Sequence, residues 1–137
     1  MNDTGKKFSK LLTIIGRLRS ENGCPWDKKQ TPQTLKKYLF EETLEAIEAI
    51  DEDDPDHVRE ELGDLLFLIG FMSRLYQEKG RFSMDEVLDE ITKKMIRRHP
   101  HVFSNAPTGT EQDLRKRWLT IKAAEKTENQ KKRKKSY

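Results

Sequence analysis

The sequence predicts an all-α fold: a bundle of four to five helices with a metal site between two central antiparallel helices. Three observations favour this fold. Apolar residues recur at helical spacing, N-capping residues precede these segments, and no segment alternates as a strand does. The chain has 137 residues, enough for one domain with a modest core. We expect that domain over residues 1–126, followed by a basic and disordered tail over residues 127–137.

Helix starts are the clearest local signals in this sequence. Thr31-Pro32 and Asp54-Pro55 each combine a capping side chain with a proline in the first turn, and both features favour helix initiation. Ser83-x-x-Glu86 is a capping box. The five predicted helices cover residues 7–19, Pro32–Ile50, Pro55–Glu78, a segment that opens after Ser83, and Thr110–Lys126. Residues 21–32 and 97–110 are predicted as loops, because Gly, Pro and Asn interrupt the apolar pattern.

Composition narrows the class of protein. Hydrophobic residues make up 34% and charged residues 37%, which fits a small helical protein whose core a subunit interface helps to complete. Cys24 is the single cysteine, so an intrachain disulfide is impossible, and we expect the reducing cytoplasm. The N-terminus lacks the apolar run of a signal peptide, and the longest apolar run, residues 65–72, is too short to cross a bilayer.

An acidic stretch, EETLEAIEAIDEDDPDHVREELGD at residues 41–64, contains the candidate catalytic chemistry. Glu42 and Glu45 are three residues apart on one predicted helix, and Glu61 and Asp64 are three apart on the next. Residues at this spacing are neighbours on a helix surface, so each helix carries a pair of carboxylates. Chance alone produces some such spacings among 24 acidic residues. Two such pairs on either side of one turn are stronger evidence for a functional site than a single pair.

The surroundings of the second pair favour a metal site. From Leu65 the third predicted helix is apolar nearly all round, so we expect it to be buried on most sides and Glu61 and Asp64 to be shielded from solvent. A buried carboxylate must be neutralised, be paired or bind a metal. Oxygen ligands select hard cations, so Mg²⁺ is expected and Mn²⁺ is a possible substitute. A glutamate not fully engaged with metal, Glu41 or Glu45, could orient or deprotonate a water.

Three further residues are candidate substrate contacts. Trp26 lies in a polar loop, where it is a packing anchor or else a residue that stacks on a base or borders a ligand. Lys94 and Arg98 are four residues apart at the margin of an apolar stripe. They are either snorkelling surface residues or groups that bind phosphate oxygens.

Four motifs in order resemble the MazG family of nucleoside triphosphate pyrophosphohydrolases. They are NGCPWDKKQT at residues 22–31, the E-E-x-x-E that starts at Glu41, the E-x-x-D that starts at Glu61, and KMIRRHPHVF at residues 94–103. The similarity spans about residues 8–126. One departure is Pro32, which stands where a histidine commonly follows the Gln-Thr of the first motif.

The resemblance implies an all-α, Mg²⁺-dependent enzyme that hydrolyses a nucleoside triphosphate to the monophosphate and pyrophosphate. It also implies a homodimer or a higher homo-oligomer; many relatives hold two such modules in one chain, so here pairing would be between chains. The implied metal ligands are Glu42, Glu45, Glu61 and Asp64, the implied phosphate contacts are Lys94 and Arg98, and the implied base or substrate contacts are Trp118 and Lys122.

Other functions stay open at the level of sequence. Within the same superfamily, the enzyme could act on one special substrate, such as phosphoribosyl-ATP or a single dNTP. Alternatively, the chain could be a helical nucleic-acid-binding module that uses the basic residues 131–135, or a dimeric adaptor without turnover. We expect no membrane partner, and no nucleic-acid partner beyond weak contacts of the tail.

Overall fold

A computed structural model describes residues 2–135, and all regular structure in that range is α-helical, which confirms the all-α prediction. The described residues form two compact units, one up to Val87 and one from Leu88 onward. None of the described helices is both long and apolar enough to cross a membrane. The helices are α1 Asp3–Leu18, α2 Pro25–Lys29, α3 Pro32–Asp51, α4 Pro55–Glu78, α5 Met84–Arg98, α6 Pro100–Phe103 and α7 Glu111–Lys135.

The two central helices start where the capping signals predict. Thr31 Oγ1 accepts a hydrogen bond from the Thr34 backbone N–H at 3.2 Å, while Thr34 Oγ1 accepts one from the Thr31 N–H at 2.8 Å. Asp54 Oδ1 accepts from the N–H groups of Asp56 and His57, at 3.2 and 3.3 Å. These bonds satisfy backbone donors that a helix start leaves without partners. Both predicted starts are confirmed.

The first unit is built on α4, against which α1 and α3 pack. One apolar cluster forms its core, and its buried members are Ile15, Leu35, Leu68, Phe71 and Leu75. Only a turn of three residues joins α3 to α4, so the two helices are held side by side along the acidic stretch.

Arg19 fixes the segment between α1 and α3. Its Nε and Nη2 donate to the Glu78 carboxylate at 2.9 to 3.0 Å, and its Nη1 donates to the backbone oxygens of Asp27 and Gln30. These charge-assisted bonds connect the end of α1 to the end of α4 and to α2. These contacts fix the short helix α2, which contains Trp26, to the ends of α1 and α4 in the first unit.

Three local predictions were wrong. Residues 25–29 and 100–103 form the short helices α2 and α6, although the sequence predicted loops; in both cases a proline at the first helical position favours helix initiation. Helix α7 runs to Lys135 and not to Lys126. Its last turns are rich in Lys, Glu and Gln, which are good helix formers, and contain no Gly or Pro. Residues 136–137 lie outside the described residues.

Helix α4 is less buried than its composition predicts. Leu66 and Ile69 are 41% and 44% exposed, because α1 and α3 cover only part of its circumference. The apolar residues of α3 are likewise only partly covered. Four of them are exposed: Phe40, Leu44, Ile47 and Ile50.

Candidate metal centre

Helices α3 and α4 bring three of the four predicted acidic ligands together. One carboxylate oxygen from each of Glu42, Glu45 and Glu61 lies within 4.8 Å of the others. The i,i+3 spacing places the first two on one surface of α3, and α4 presents the third. This is a cluster of like charges, so it needs a cation or a proton to be stable.

Two oxygens of this cluster have no hydrogen-bond donor. Glu61 is 5% exposed, and both its Oε2 and the Oε2 of Glu42 are buried. Within residues 2–134, no N–H or O–H group of another side chain or of the backbone donates to either oxygen. Leaving a charged oxygen buried and unpaired costs several kcal/mol, on the order of a lost charge-assisted bond or more. A hard divalent cation would remove that cost, and an all-oxygen donor set fits Mg²⁺.

The crowding also changes the acidity of Glu42. Burial raises the pKa of its carboxyl to about 7, a hydrogen bond that the protonated form makes with Glu61 adds to the shift, and the negative charge of Glu45 adds further. The charge of Asp64 acts in the same direction. In the absence of a cation, Glu42 therefore holds its proton to a higher pH than an ordinary glutamate does.

Asp64 differs from the other three. It is exposed, so the prediction that it is shielded from solvent was wrong. It lies one turn after Glu61 on α4, on a side that the packing helices leave open. It nevertheless borders the same cavity as Glu42, and its charge contributes to the pKa of Glu42. Glu41 is also exposed, on the neighbouring surface of α3.

His57 contacts the cluster from α4 and was missed at the level of sequence. Its Nε2 lies 3.2 Å from Glu61 Oε1, and its Nδ1 lies 3.2 Å from Glu52 Oε2. The contact with Glu52, at the end of α3, is the main reason that the pKa of His57 is raised. The signal was present in the sequence, since His57 and Glu61 are four residues apart and lie on one helix face.

An apolar cavity opens beside the acids. It has a volume of about 230 Å³, and Trp26 and Tyr38 contact each other edge to face at its border, with ring centroids 5.7 Å apart. Trp26 remains 52% exposed. The residue that the sequence placed in a polar loop thus lies beside Glu42. The lining consists of Trp26, Leu35, Tyr38, Glu42, Asp64, Phe67, Leu68 and Phe71.

The other predicted substrate residues lie in the second unit. Lys94 borders a groove of about 560 Å³ that Glu125 also lines, and Lys122 is exposed on α7. Arg98 lies over the ring of Trp118, with the guanidinium carbon 4.9 Å from the ring centroid. Arg98 is also paired with Glu125 at 2.7 Å, an interaction that the sequence analysis did not anticipate.

Residues 30–103 match the profile of the MazG nucleotide pyrophosphohydrolase domain, which is more than half of the chain. The chain belongs to the MazG family. The resemblance drawn from its motifs is therefore confirmed. The matched region contains all four predicted metal ligands as well as Lys94 and Arg98, whereas Trp26 precedes it and Trp118 and Lys122 follow it.

Curated relatives and a solved structure resemble this MazG domain. It is 49% identical to the uncharacterized protein YabN of Bacillus subtilis over 88% of the chain and 24% of that protein. It is 45% identical to the nucleoside triphosphate pyrophosphohydrolase/pyrophosphatase MazG of Thermotoga maritima, over 92% of the chain and 48% of that protein. It is also 45% identical to the nucleoside triphosphate pyrophosphohydrolase of Escherichia coli K12, over 89% of the chain and 47% of that protein.

The chain thus spans about a quarter to a half of the length of these curated relatives. By contrast, nearly the whole of one solved chain aligns with this chain, in the crystal structure of a MazG-related protein from Thermotoga maritima. It superposes with a TM-score of 0.69 at 27% identity, over 84% of this chain and 98% of that one. The helical fold described above is therefore that of a known MazG-related structure.

Proposed function

We propose that this MazG domain is a metal-dependent nucleoside triphosphate pyrophosphohydrolase that releases pyrophosphate and leaves the nucleoside monophosphate. One observation carries the proposal: Glu42, Glu45 and Glu61 converge, and the Oε2 atoms of Glu42 and Glu61 are buried without a donor within residues 2–134. Such a cluster is costly for the fold alone and useful for holding a cation that binds phosphate oxygens. The MazG relatives of Thermotoga maritima and Escherichia coli are named for this activity.

The proposed ligands are Glu42, Glu45, Glu61 and Asp64, with Mg²⁺ as the ion and Mn²⁺ as a substitute. Four carboxylates exceed the charge of one divalent ion, so the excess suits either a second ion or an ion that arrives with a triphosphate. When bound, the ion supplies positive charge to the phosphate oxygens and favours attack by water at phosphorus.

The protein must also orient the attacking water. Glu45 is an exposed member of the cluster and Glu41 is the exposed residue before Glu42, so either is a candidate to accept a proton from that water. Glu42 is less suited, because its carboxyl is buried among the other acids. We therefore assign the role of base to Glu41, or to Glu45 where that carboxylate is not fully engaged with the ion.

The cavity beside Trp26 and Tyr38 suits the nucleobase. Its volume of about 230 Å³ is below the roughly 300–1,000 Å³ of sites that enclose a drug-sized ligand, so it holds only part of a nucleotide. Its lining is mainly apolar and aromatic, and stacking on such side chains tolerates different bases. This favours a broad substrate range over a single dNTP. We propose Lys94 and Arg98 as phosphate contacts, and Trp118 and Lys122 as further substrate contacts.

An exposed apolar strip on α3 and α4 supports the proposed homodimer. Its residues recur at helical spacing, and Phe40 is 66% exposed. Contiguous apolar surface of this kind marks an interaction site, and a second copy of the chain presents the same surface. The strip consists of Phe40, Leu44, Ile47, Leu62, Leu66 and Ile69. As the single cysteine also fits a reducing compartment, we propose a cytoplasmic homodimer.

Association can be measured directly. Ile47→Asp places a charge in the strip without touching the acidic cluster, so it should shift the protein from dimer to monomer in analytical ultracentrifugation by at least about tenfold in dissociation constant. Glu48→Lys changes an exposed residue next to the strip and is the control. A wild-type protein that is monomeric at high concentration would contradict the proposed dimer.

A nucleotide panel tests the proposed reaction. Ribo- and deoxyribonucleoside triphosphates and phosphoribosyl-ATP are incubated with Mg²⁺, and pyrophosphate and orthophosphate are scored separately. The proposal predicts pyrophosphate from several bases. Turnover of one substrate alone would favour the specialised enzyme, and orthophosphate alone would mean that the wrong bond has been assigned.

A further inference from the structure

We infer that Glu125 is a positioning residue that holds the guanidinium of Arg98 in a fixed orientation for a phosphate group of the substrate. The inference rests on the proposed function, since it takes Arg98 as a phosphate contact. No sequence motif discussed above includes Glu125. It emerges only from the contacts that α7 makes with α5.

One carboxylate serves two arginines. Glu125 Oε2 accepts hydrogen bonds from Nε and Nη2 of Arg98, at 3.1 and 2.7 Å. Its Oε1 accepts one from Nε of Arg97 at 2.7 Å. The side chains of Arg98 and Glu125 are only 11% and 13% exposed, whereas that of Arg97 is 50% exposed. The buried pair is therefore Arg98 with Glu125, and water competes little for it.

The orientation of Arg98 is fixed in two directions. Glu125 holds one edge of the planar guanidinium, and the Trp118 ring covers one of its faces at 4.9 Å. Trp118 in turn meets the His99 ring edge to face at 5.4 Å, and His99 Nδ1 is 2.6 Å from the backbone oxygen of Met95. The hydrogen bonds to Glu125 and the stack on Trp118 together restrict rotation of the guanidinium.

The cluster retains positive charge and free donors. Two guanidinium groups face one carboxylate, which leaves a net charge of +1 among these three residues. Within residues 2–134, Nη1 of Arg98 has no hydrogen-bond partner, and neither Nη1 nor Nη2 of Arg97 has one. Arginine forks bind phosphate oxygens through such paired donors. An arginine that is already oriented loses less entropy when it binds, so the benefit should appear in substrate affinity.

Glu125→Gln is the direct test, because the amide keeps the shape but removes the charge and one acceptor. We expect KM for a nucleoside triphosphate to rise about tenfold while kcat changes less than about threefold. Binding of inorganic pyrophosphate with Mg²⁺, measured by calorimetry, should weaken by a similar factor. Glu128→Gln is the matched control, since it makes the same change one turn later on α7 at an exposed residue, and both parameters should stay at the wild-type value.

Two outcomes would overturn the inference. An unchanged KM together with a lower melting temperature would mean that Glu125 is only a structural link. A decreased KM would mean that its carboxylate competes with phosphate for Arg98. Should Glu125→Gln fail to fold, Glu125→Asp keeps the charge but reaches only one arginine, and the same rise in KM, of smaller size, is expected. Failure of the proposed function is separate, because the wild-type protein would then hydrolyse no nucleotide.

Discussion

Two glutamates in different parts of the molecule behave as opposites. The pKa of Glu42 is raised to about 7, mainly by burial and then by the acids beside it. The pKa of Glu125 is lowered to about 2, mainly by its hydrogen bonds with Arg98 and then by Arg97, against the opposing effect of burial. Burial raises the pKa of both carboxyls, and the arginines beside Glu125 reverse the direction of its shift.

The difference separates two kinds of acid. Glu42 belongs to a group that has too much negative charge and buried oxygens without donors, and such a group gains from a cation. Glu125 belongs to a group that already has more positive than negative charge, and that group can present arginine donors to an anion.

The largest expected effect comes from the buried acid of the first group. Glu61→Gln removes a charge from the cluster but keeps the shape of the side chain, so we expect hydrolysis to fall about 100-fold or more. The fold should persist, because the change also relieves repulsion between like charges. Circular dichroism and steady-state kinetics measure the two properties.

Glu60→Gln is the matched control for that experiment. It alters the preceding residue of α4, which is exposed, and should leave the rate within about twofold. Equal rates of hydrolysis for Glu61→Gln and the wild type would rule out the assignment of Glu61 as a metal ligand. The acidic cluster would then have no role in hydrolysis.

The stability of the metal-free protein should depend on pH through Glu42. Its folded pKa lies above that of the unfolded chain, so between pH 4.5 and about 7 the folded state binds more protons. The free energy of unfolding should therefore fall as pH rises through this window. Glu42→Gln should remove this fall and stabilise the metal-free protein above pH 7 by about 1 to 3 kcal/mol.

Urea unfolding at a series of pH values, with and without Mg²⁺, measures this dependence. Millimolar Mg²⁺ should reduce the fall in the wild-type protein, because a bound cation replaces the proton. If the free energy of unfolding of Glu42→Gln depends on pH in the same way as that of the wild type, the pKa of Glu42 is not raised in the folded protein.

Glu125 should give a smaller effect of opposite sign at lower pH. Its folded pKa lies below that of the unfolded chain, so its stabilising contribution is complete above pH 4.5 and is lost as pH falls towards 2. We expect about 1 to 2 kcal/mol, since the outer arginine is half exposed and screened by solvent. The contribution is measured as the difference in the free energy of unfolding between the wild type and Glu125→Gln at a series of pH values from 5 to 2. A difference that does not change over this range would contradict the pairing of Glu125 with the arginines.

Local signals in the sequence predicted the central helices and most of the acidic cluster. The caps at Thr31 and Asp54 set the helix starts within one residue, and the spacing of Glu42 and Glu45 set their common face. These features depend on residues three or four apart, so they can be read without knowledge of the tertiary structure.

Features that depend on distant residues were not predictable in the same way. Asp64 was expected to be shielded because apolar residues follow it, but its exposure is decided by which helices cover α4. Glu125 lies 27 residues from Arg98, and no periodicity links them. Its partners become visible only when α5 and α7 pack together.

A calorimetric titration with Mg²⁺ near pH 7 tests the central claim most directly. In buffers of different ionisation enthalpy, the wild-type protein should bind Mg²⁺ and release protons, because the pKa of Glu42 is raised before binding. Glu61→Gln should bind much more weakly. No binding at millimolar Mg²⁺, or equal binding by wild type and Glu61→Gln, would contradict the assignment of these acids as a metal centre.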